Sequence, residues 1–96
     1  MKSAADMVSK QAVIHNEMGI HVRPTGVIIQ EAGSYPCDIT VSAHGIDTDL
    51  KDHMGLLALG LCKGDAVNIT VSGPDEEKVC DALVELFQRD FDFPPR

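Results

Sequence analysis

Apolar and polar residues alternate strictly in two segments of the chain, 38–43 and 67–72. A period of two is typical of a β-strand that buries one face and exposes the other. The alternating apolar positions are Ile39, Val41, Ala43, Val67, Ile69 and Val71. We therefore predict two half-buried strands, of which the second has the more regular pattern.

Two more strands are indicated by weaker patterns. Residues 8–15 are strand-like and run into a turn at 16–19, where Asn, Glu and Gly are grouped. His44 and Gly45 favour a tight turn after the strand at 38–43, and the alternation in 46–50 predicts the returning strand. The two strands on either side of this turn are expected to form a hairpin.

Three segments have helical spacing. Apolar residues recur every three or four positions from Val22 to Ala32, and Gly33 is well placed to end that helix. Asp52 is expected to cap a short helix closed by Gly60, and Asp75 to cap a final helix. The apolar residues of the short helix are Met54, Leu56, Leu57 and Ala58, and those of the final helix are Val79, Ala82, Leu83, Leu86 and Phe87.

The predicted element order is β-α-β-β-α-β-α, which places the chain in the α+β class. A length of 96 residues fits one domain, 1–96, and the sequence has neither an internal repeat nor a linker. We expect an ordered core over about 8–90, with short flexible tails at both ends.

Composition excludes several classes of function. Fifteen acidic residues against eight basic ones give a net charge of −7, which argues against nucleic acid as a partner. The longest mostly apolar run, 54–62, has about half the length of a membrane span, and the N-terminus has no export signal, so we expect a cytoplasmic protein that does not insert into membranes. Cys37, Cys62 and Cys80 lack metal or disulfide spacing and are expected to be reduced.

Candidate chemistry is concentrated in residues 19–24, Gly-Ile-His-Val-Arg-Pro. A helix that starts just after His21 would direct unpaired backbone N–H groups and the positive end of its dipole toward an anion on the imidazole. Pro24 suits the first helical turn, and the Arg23 guanidinium matches phosphate oxygens. This combination suits phosphorylation of His21.

The chain resembles the histidine-containing phosphocarrier (HPr) family of the bacterial sugar phosphotransferase system. The resemblance extends over residues 8–89 without an evident gap. Its motifs are Gly19-Ile20-His21, Arg23-Pro24, Lys51, Met54-Gly55, Leu59-Gly60, Lys63-Gly64, the segment 67–73 and Asp75-Glu76-Glu77-Lys78. The family implies an open-faced β-sandwich, in which three helices cover one face of a four-stranded antiparallel sheet.

The resemblance also implies a function and a set of partners. Enzyme I, charged from phosphoenolpyruvate, would phosphorylate His21 at Nδ1, and the carrier would pass the phosphoryl group to IIA components of sugar transporters. Arg23 would stabilise the phosphate. No cofactor is implied, and we expect a monomeric carrier without independent enzymatic turnover. Partner docking is expected at residues beside the histidine and around the short helix, namely Val22, Lys51, His53, Met54 and Leu57.

Three departures from the family pattern are evident. Val22 is larger than the usual residue between His21 and Arg23, and only Arg23 and Lys51 supply positive charge near the histidine. Asp52 stands where many members have a regulatory serine. One interpretation is that Asp52 caps the short helix, which is worth about 1 kcal/mol. A second, compatible interpretation is that its charge imitates phosphoserine.

Two alternatives to a sugar-transport carrier stay open. One is a regulatory HPr paralogue in a nitrogen-linked or other phosphorelay. The other is a binding module that uses the same face to control a regulator protein. A regulatory paralogue would use the same chemistry at His21 as a sugar-transport carrier, so the sequence alone does not separate the two pathways.

Overall fold

The computed structural model describes residues 7–17, 19–20 and 22–90, with the backbone alone described at Val22. Its seven elements follow the predicted order. They are β1 (Val8–Val13), α1 (Val22–Gly33), β2 (Asp38–Ala43), β3 (Ile46–Asp49), α2 (His53–Ala58), β4 (Ala66–Ser72) and α3 (Glu76–Phe87). The predicted tails lie largely outside the described residues.

The four strands form one antiparallel sheet in the order β1-β4-β2-β3. The registers align Val13 with Ala66 at one end of the sheet and Val8 with Val71 toward the other. Because β1 and β2 both run antiparallel to β4, the connections 14–20, 44–45 and 61–65 meet at one end. We call this end the α1-start end, since the chain enters α1 from it.

Alternation along the strands determines which face of the sheet is covered. Ile39, Val41, Val67, Ile69 and Val71 are all buried, whereas their neighbours in sequence form an exposed or half-buried polar face. On that polar face the hydroxyls of Ser9 and Thr70 lie 3.1 Å apart. The three helices therefore pack on the opposite face, as the resemblance implied.

The helices complete a core that is largely aliphatic. Ile28 and Ala32 of α1 and Leu83, Leu86 and Phe87 of α3 are buried in one cluster with the inward strand residues. Lys10 of β1 also bonds to the carboxylates of Glu77 and Asp81, which joins the edge strand to α3 at the surface. The buried helical stripe agrees with the predicted spacing.

Most predicted elements are confirmed, with small differences at their ends. The first strand ends at Val13 and the hairpin strand ends at Asp49, each shorter than predicted, while α1 extends through Gly33. Ile46 is 49% exposed, because it begins an edge strand and has a neighbouring strand on one side only.

The predicted cap of the final helix is wrong. Asp75 has a left-handed conformation, with φ 56°, and its side chain makes no capping bond. A side chain reaches the first N–H groups of a helix from an extended backbone, which Asp75 does not have. The Glu76 carboxylate accepts a hydrogen bond from the N–H of Gly73, which precedes the helix, at 3.1 Å.

Candidate functional site

The start of α1 is the part of the fold suited to an anion. Val22 is the first helical residue, and His21, which precedes it in sequence, lies outside the described residues. Pro24 is buried in the first turn, where its missing N–H costs no helical hydrogen bond. The first residues of a helix have backbone N–H groups without helical acceptors, and Arg23 is exposed on the same turn.

Charge distinguishes the start of α1 from that of the other long helix. The first turn of α1 has no acidic residue, whereas α3 has Glu76 and Glu77 in its first turn. Those carboxylates already complement the positive end of the α3 dipole. In a chain with a net charge of −7, the dipole of α1 is left without an acidic partner in its own first turn.

A turn closed by hydrogen bonds between Asn16 and Gly19 precedes α1, and we call it the braced turn. Asn16 is 5% exposed, and its side-chain Nδ2 donates to the Gly19 carbonyl at 2.7 Å. The Gly19 N–H donates to the Asn16 carbonyl at 2.9 Å, so the two residues are joined by hydrogen bonds in both directions. This pairing fixes the ends of the turn immediately upstream of Ile20.

Gly19 is required by the space available as well as by its backbone angle. Its φ is +73°, and an added Cβ would lie 2.4 Å from the Leu61 carbonyl oxygen. The next residue, Ile20, is buried and donates its N–H to that same Leu61 oxygen at 2.9 Å. The approach to α1 is therefore packed directly against the connection between α2 and β4.

Asp65 joins three connections at the α1-start end. Its backbone carbonyl accepts from the Ile14 N–H at 2.9 Å, and its carboxylate accepts from the Cys62 N–H at 2.8 Å and contacts His44 Nε2 at 3.1 Å. The Cys62 hydrogen bond, followed by His44, lowers the pKa of Asp65 below its ordinary value. Lys63 also pairs with Glu17 at 3.0 Å, which adds a contact between the two loops.

Thr25 brings a polar atom into the interior beside the site. Its side chain is 0% exposed, and Oγ1 has no hydrogen-bond partner within the described structure. A buried hydroxyl without a partner costs about 1–3 kcal/mol. Asn16 and Thr25 are the two buried polar residues of the described chain, and they flank His21 in sequence.

The expected docking residues on the short helix have different exposures. Met54 is 73% exposed, His53 is exposed and Leu57 is half-buried. Since α2 packs beside α1, an apolar side chain exposed on α2 is available to a partner that approaches the two helices. The side chain of Val22 lies outside the described residues.

Lys51 lies apart from the start of α1. Its Nζ donates to the carbonyls of Tyr35 and Cys37, at 3.2 and 3.1 Å, in the connection that follows the end of α1. The twelve residues of α1 span about 18 Å at 1.5 Å per residue. The ammonium group is therefore placed near the end of α1 farthest from Val22.

Asp52 caps α2, as the sequence predicted. Its Oδ1 accepts a hydrogen bond from the Gly55 N–H at 3.1 Å, and its extended backbone suits an N-cap. Gly60, with φ +60°, closes the helix through a bond from its N–H to the Leu57 carbonyl. The capping interpretation thus has a structural basis, while the phosphoserine interpretation stays a prediction.

Sequence reasoning placed Asn16, Lys63 and Asp65 in turns but gave none of them a part in the functional site. The turn at Asn16 was itself predicted from the sequence, because Asn and Gly favour turns. The contacts between the loops 14–20 and 61–65 were not, because they join residues more than forty positions apart.

Comparison with known proteins assigns the chain to a family. A family model described as the PTS HPr component phosphorylation site matches residues 8–89. The chain belongs to the HPr family. It is accordingly an HPr-family phosphocarrier, and the family implies partners from the phosphotransferase system.

Similar proteins cover nearly the whole chain. The phosphocarrier protein HPr of Vibrio cholerae is 36% identical over 83 residues, which span 86% of this chain and 98% of the relative. The HPr of Cupriavidus necator is 32% identical over 85 residues, spanning 88% and 96% of the two chains. The range matched by the family model, 8–89, contains all four strands and the three helices.

Solved structures agree on the fold. A crystal structure of HPr from Bacillus anthracis superimposes with a TM-score of 0.82 at 30% identity, covering 85% of this chain and 98% of the other. The solution structure of Crh, the Bacillus subtilis catabolite repression HPr, has a TM-score of 0.65 at 25% identity and covers 88% and 100%. The chain is therefore similar both to HPr proteins and to a protein described as a catabolite repression HPr.

No helix within the described ranges has the length and apolarity that a membrane span requires.

Proposed function

We propose that His21 is the phosphorylated residue, charged by enzyme I from phosphoenolpyruvate and discharged to IIA components of sugar transporters. The observation that carries this proposal is the match of residues 8–89 to the HPr phosphorylation-site family, in which His21 directly precedes α1. The absence of acidic residues from the first turn of α1 supports it, because a phosphoryl group brings negative charge.

The chemistry follows from the histidine and its helix. With the ring neutral and its proton on Nε2, the Nδ1 lone pair can form a bond to phosphorus. The bond from phosphorus to the donor atom of charged enzyme I breaks, and its electron pair stays on that donor. The helix dipole and the Arg23 guanidinium then stabilise the phosphate. Positioning and electrostatics supply most of the rate in such transfers.

Docking is proposed to use the exposed surface of α2 beside α1. Met54 is the most exposed large apolar side chain of the described residues and would be covered by a partner. We propose that partners also contact residues around Met54, namely Val22, Lys51, His53 and Leu57. Met54→Ala should raise the half-saturating carrier concentration in transfer from enzyme I, with a smaller effect on the maximal rate.

Incubation of the protein with phosphoenolpyruvate, magnesium and enzyme I tests the proposal. We expect one acid-labile phosphoryl group per chain, absent from His21→Ala. The matched control is His15→Ala, because His15 is an exposed histidine of the same chain that is assigned no part in docking or transfer. Equal incorporation into His21→Ala and the wild type would contradict the assignment of His21.

A regulatory paralogue is the second candidate. Two observations favour it, namely Asp52 at the position of the regulatory serine and the similarity to the catabolite repression HPr. In that case the acceptor would be a IIA component of a nitrogen-linked or other phosphorelay, or the protein would control a regulator by binding. Competition between sugar-specific and nitrogen-linked IIA proteins for the phosphorylated carrier would separate these pathways by rate.

The role of Asp52 has its own experiment. Asp52→Ser keeps a capping side chain and removes the fixed charge. If the charge imitates phosphoserine, this variant should accept phosphate from enzyme I faster than the wild type. Unchanged kinetics would leave capping as the whole explanation.

A further inference from the structure

We infer that Asn16 is a positioning residue for phosphoryl transfer, acting through the turn that carries the chain to His21. This inference rests on the proposed function, because it concerns the rate at which His21 accepts a phosphoryl group. Asn16 has no place in the sequence motif 19–24 on which the histidine assignment is based.

Burial of the Asn16 amide is the first observation. Polar side chains that are buried need partners, and an amide that loses them costs about 1–3 kcal/mol. Asn16 is 5% exposed and uses its Nδ2 to bind the Gly19 carbonyl at 2.7 Å. This bond crosses a turn of four residues, so its effect is to fix the shape of the turn.

The position of the turn is the second observation. Its last residue, Gly19, is held by the Asn16 carbonyl, and Ile20 is held by the Leu61 carbonyl, each at 2.9 Å. Upstream, Ile14 is bonded to Asp65 and Gly64 to Ile14. The described ends of the turn are therefore fixed by hydrogen bonds, and the Asn16 amide supplies the side-chain bond between them.

The hydrogen bonds of the turn matter because transfer requires alignment. The attacking nitrogen must lie in line with the bond that breaks, and a displacement of about 1 Å can cost on the order of 10²-fold in rate. The chain passes from the fixed Ile20 to His21 and then into α1. Loss of the Asn16 bond would allow the turn to sample more conformations while the surface that docks enzyme I stays the same.

Single-turnover transfer from phosphorylated enzyme I tests this role. Asn16→Ala should lower the maximal transfer rate by about tenfold or more, and the half-saturating concentration should change by less than about twofold. A merely structural role would lower stability and leave the maximal rate of the folded protein unchanged. All rates are measured where circular dichroism shows each variant to be folded.

Gln88→Ala is the matched control. The Gln88 side chain also makes a hydrogen bond to backbone, accepting from the Val13 N–H at 3.0 Å, but it lies outside the turn. We expect this variant to lose stability and to keep the wild-type transfer rate. An equal fall of the maximal rate in both variants would overturn the inference, as would an unchanged rate in folded Asn16→Ala.

Asn16→Ser decides the matter if Asn16→Ala does not fold. Serine keeps a hydrogen-bond donor but has a shorter reach than the Asn16 amide, so the maximal rate of Asn16→Ser should fall below that of the wild type. A wild-type rate for Asn16→Ser would overturn the inference. The wild type and His21→Ala are run in parallel, and failure of the proposed function would appear there as no transfer to the wild type or equal transfer to both.

Discussion

Gly19→Ala is the most revealing single perturbation of the braced turn. The substitution adds one methyl group at a residue with φ +73°, where the added Cβ would meet the Leu61 carbonyl oxygen at 2.4 Å and the Cys62 Cα at 3.1 Å. Both neighbours are backbone atoms, so no side-chain rotation can relieve the contact. Either the turn or the loop 61–65 must move, and either movement would weaken the hydrogen bond from the Ile20 N–H to the Leu61 carbonyl.

Two costs add in this variant. A left-handed conformation costs a residue with a Cβ about 1–2 kcal/mol. Forcing a methyl group into filled space costs about 1–3 kcal/mol more. We therefore expect Gly19→Ala to lower the free energy of unfolding by about 2–5 kcal/mol, which corresponds to a Tm lower by about 8 °C or more in a domain of this size.

Other glycines of the chain separate the two costs. Gly45 also has positive φ, +76°, but a Cβ there would meet nothing within 4 Å, so Gly45→Ala should show the conformational cost alone. Gly26 lies in α1 with open space around it, and Gly26→Ala should stabilise the protein by about 1 kcal/mol. Urea denaturation gives the free energy of unfolding of all three variants. A Gly19→Ala protein no less stable than Gly45→Ala would refute the claim that the turn is packed against Leu61.

Three further predictions concern neighbouring groups. Thr25→Val replaces the unpartnered hydroxyl by a methyl group and should raise the free energy of unfolding by about 1–3 kcal/mol, and a loss of stability in urea would show that Oγ1 is satisfied. Asp52→Ala should lose about 1 kcal/mol through the missing cap and Asp52→Ser should not, as thermal melts would reveal. Because the pKa of Asp65 is lowered, its ionised carboxylate stabilises the fold above about pH 4. The difference in free energy of unfolding between the wild type and Asp65→Asn should therefore shrink on further acidification. A difference that is independent of pH would contradict this.

Local patterns were sufficient to predict most of the fold. The alternation in β2 and β4 predicted both the strands and their buried faces, because each strand packs one side against the helices. Positive φ at His44 and Gly45 agrees with the predicted hairpin turn. These features depend on residues close together in sequence, where side-chain type and backbone preference act directly.

The errors arose where distant contacts or backbone geometry override residue type. Asp75 is a favourable cap residue by type, yet its backbone is left-handed and its side chain makes no capping bond. Lys51 was expected to supply positive charge near the histidine, whereas its ammonium group binds the Tyr35 and Cys37 carbonyls beyond the far end of α1. The contacts of Asp65 with three connections depend on the sheet register, which brings one end of each of β1, β2 and β4 together.

The same division applies to the candidate site. The start of α1, its proline and its arginine were predicted from six consecutive residues. The brace that precedes them was not, since it needs the buried amide of Asn16 and the Leu61 carbonyl in one place. Burial of a polar side chain is a property of the folded chain, and the residue type alone does not report it.

The most direct test of the account follows the phosphoryl group itself. ³¹P and ¹H NMR of the protein after treatment with phosphoenolpyruvate, magnesium and enzyme I should show a single phosphohistidine substituted at Nδ1 of His21. Addition of an acceptor IIA protein should discharge it and restore the unmodified ring. A phosphoryl group on any other residue, or one that no IIA protein removes, would contradict the account.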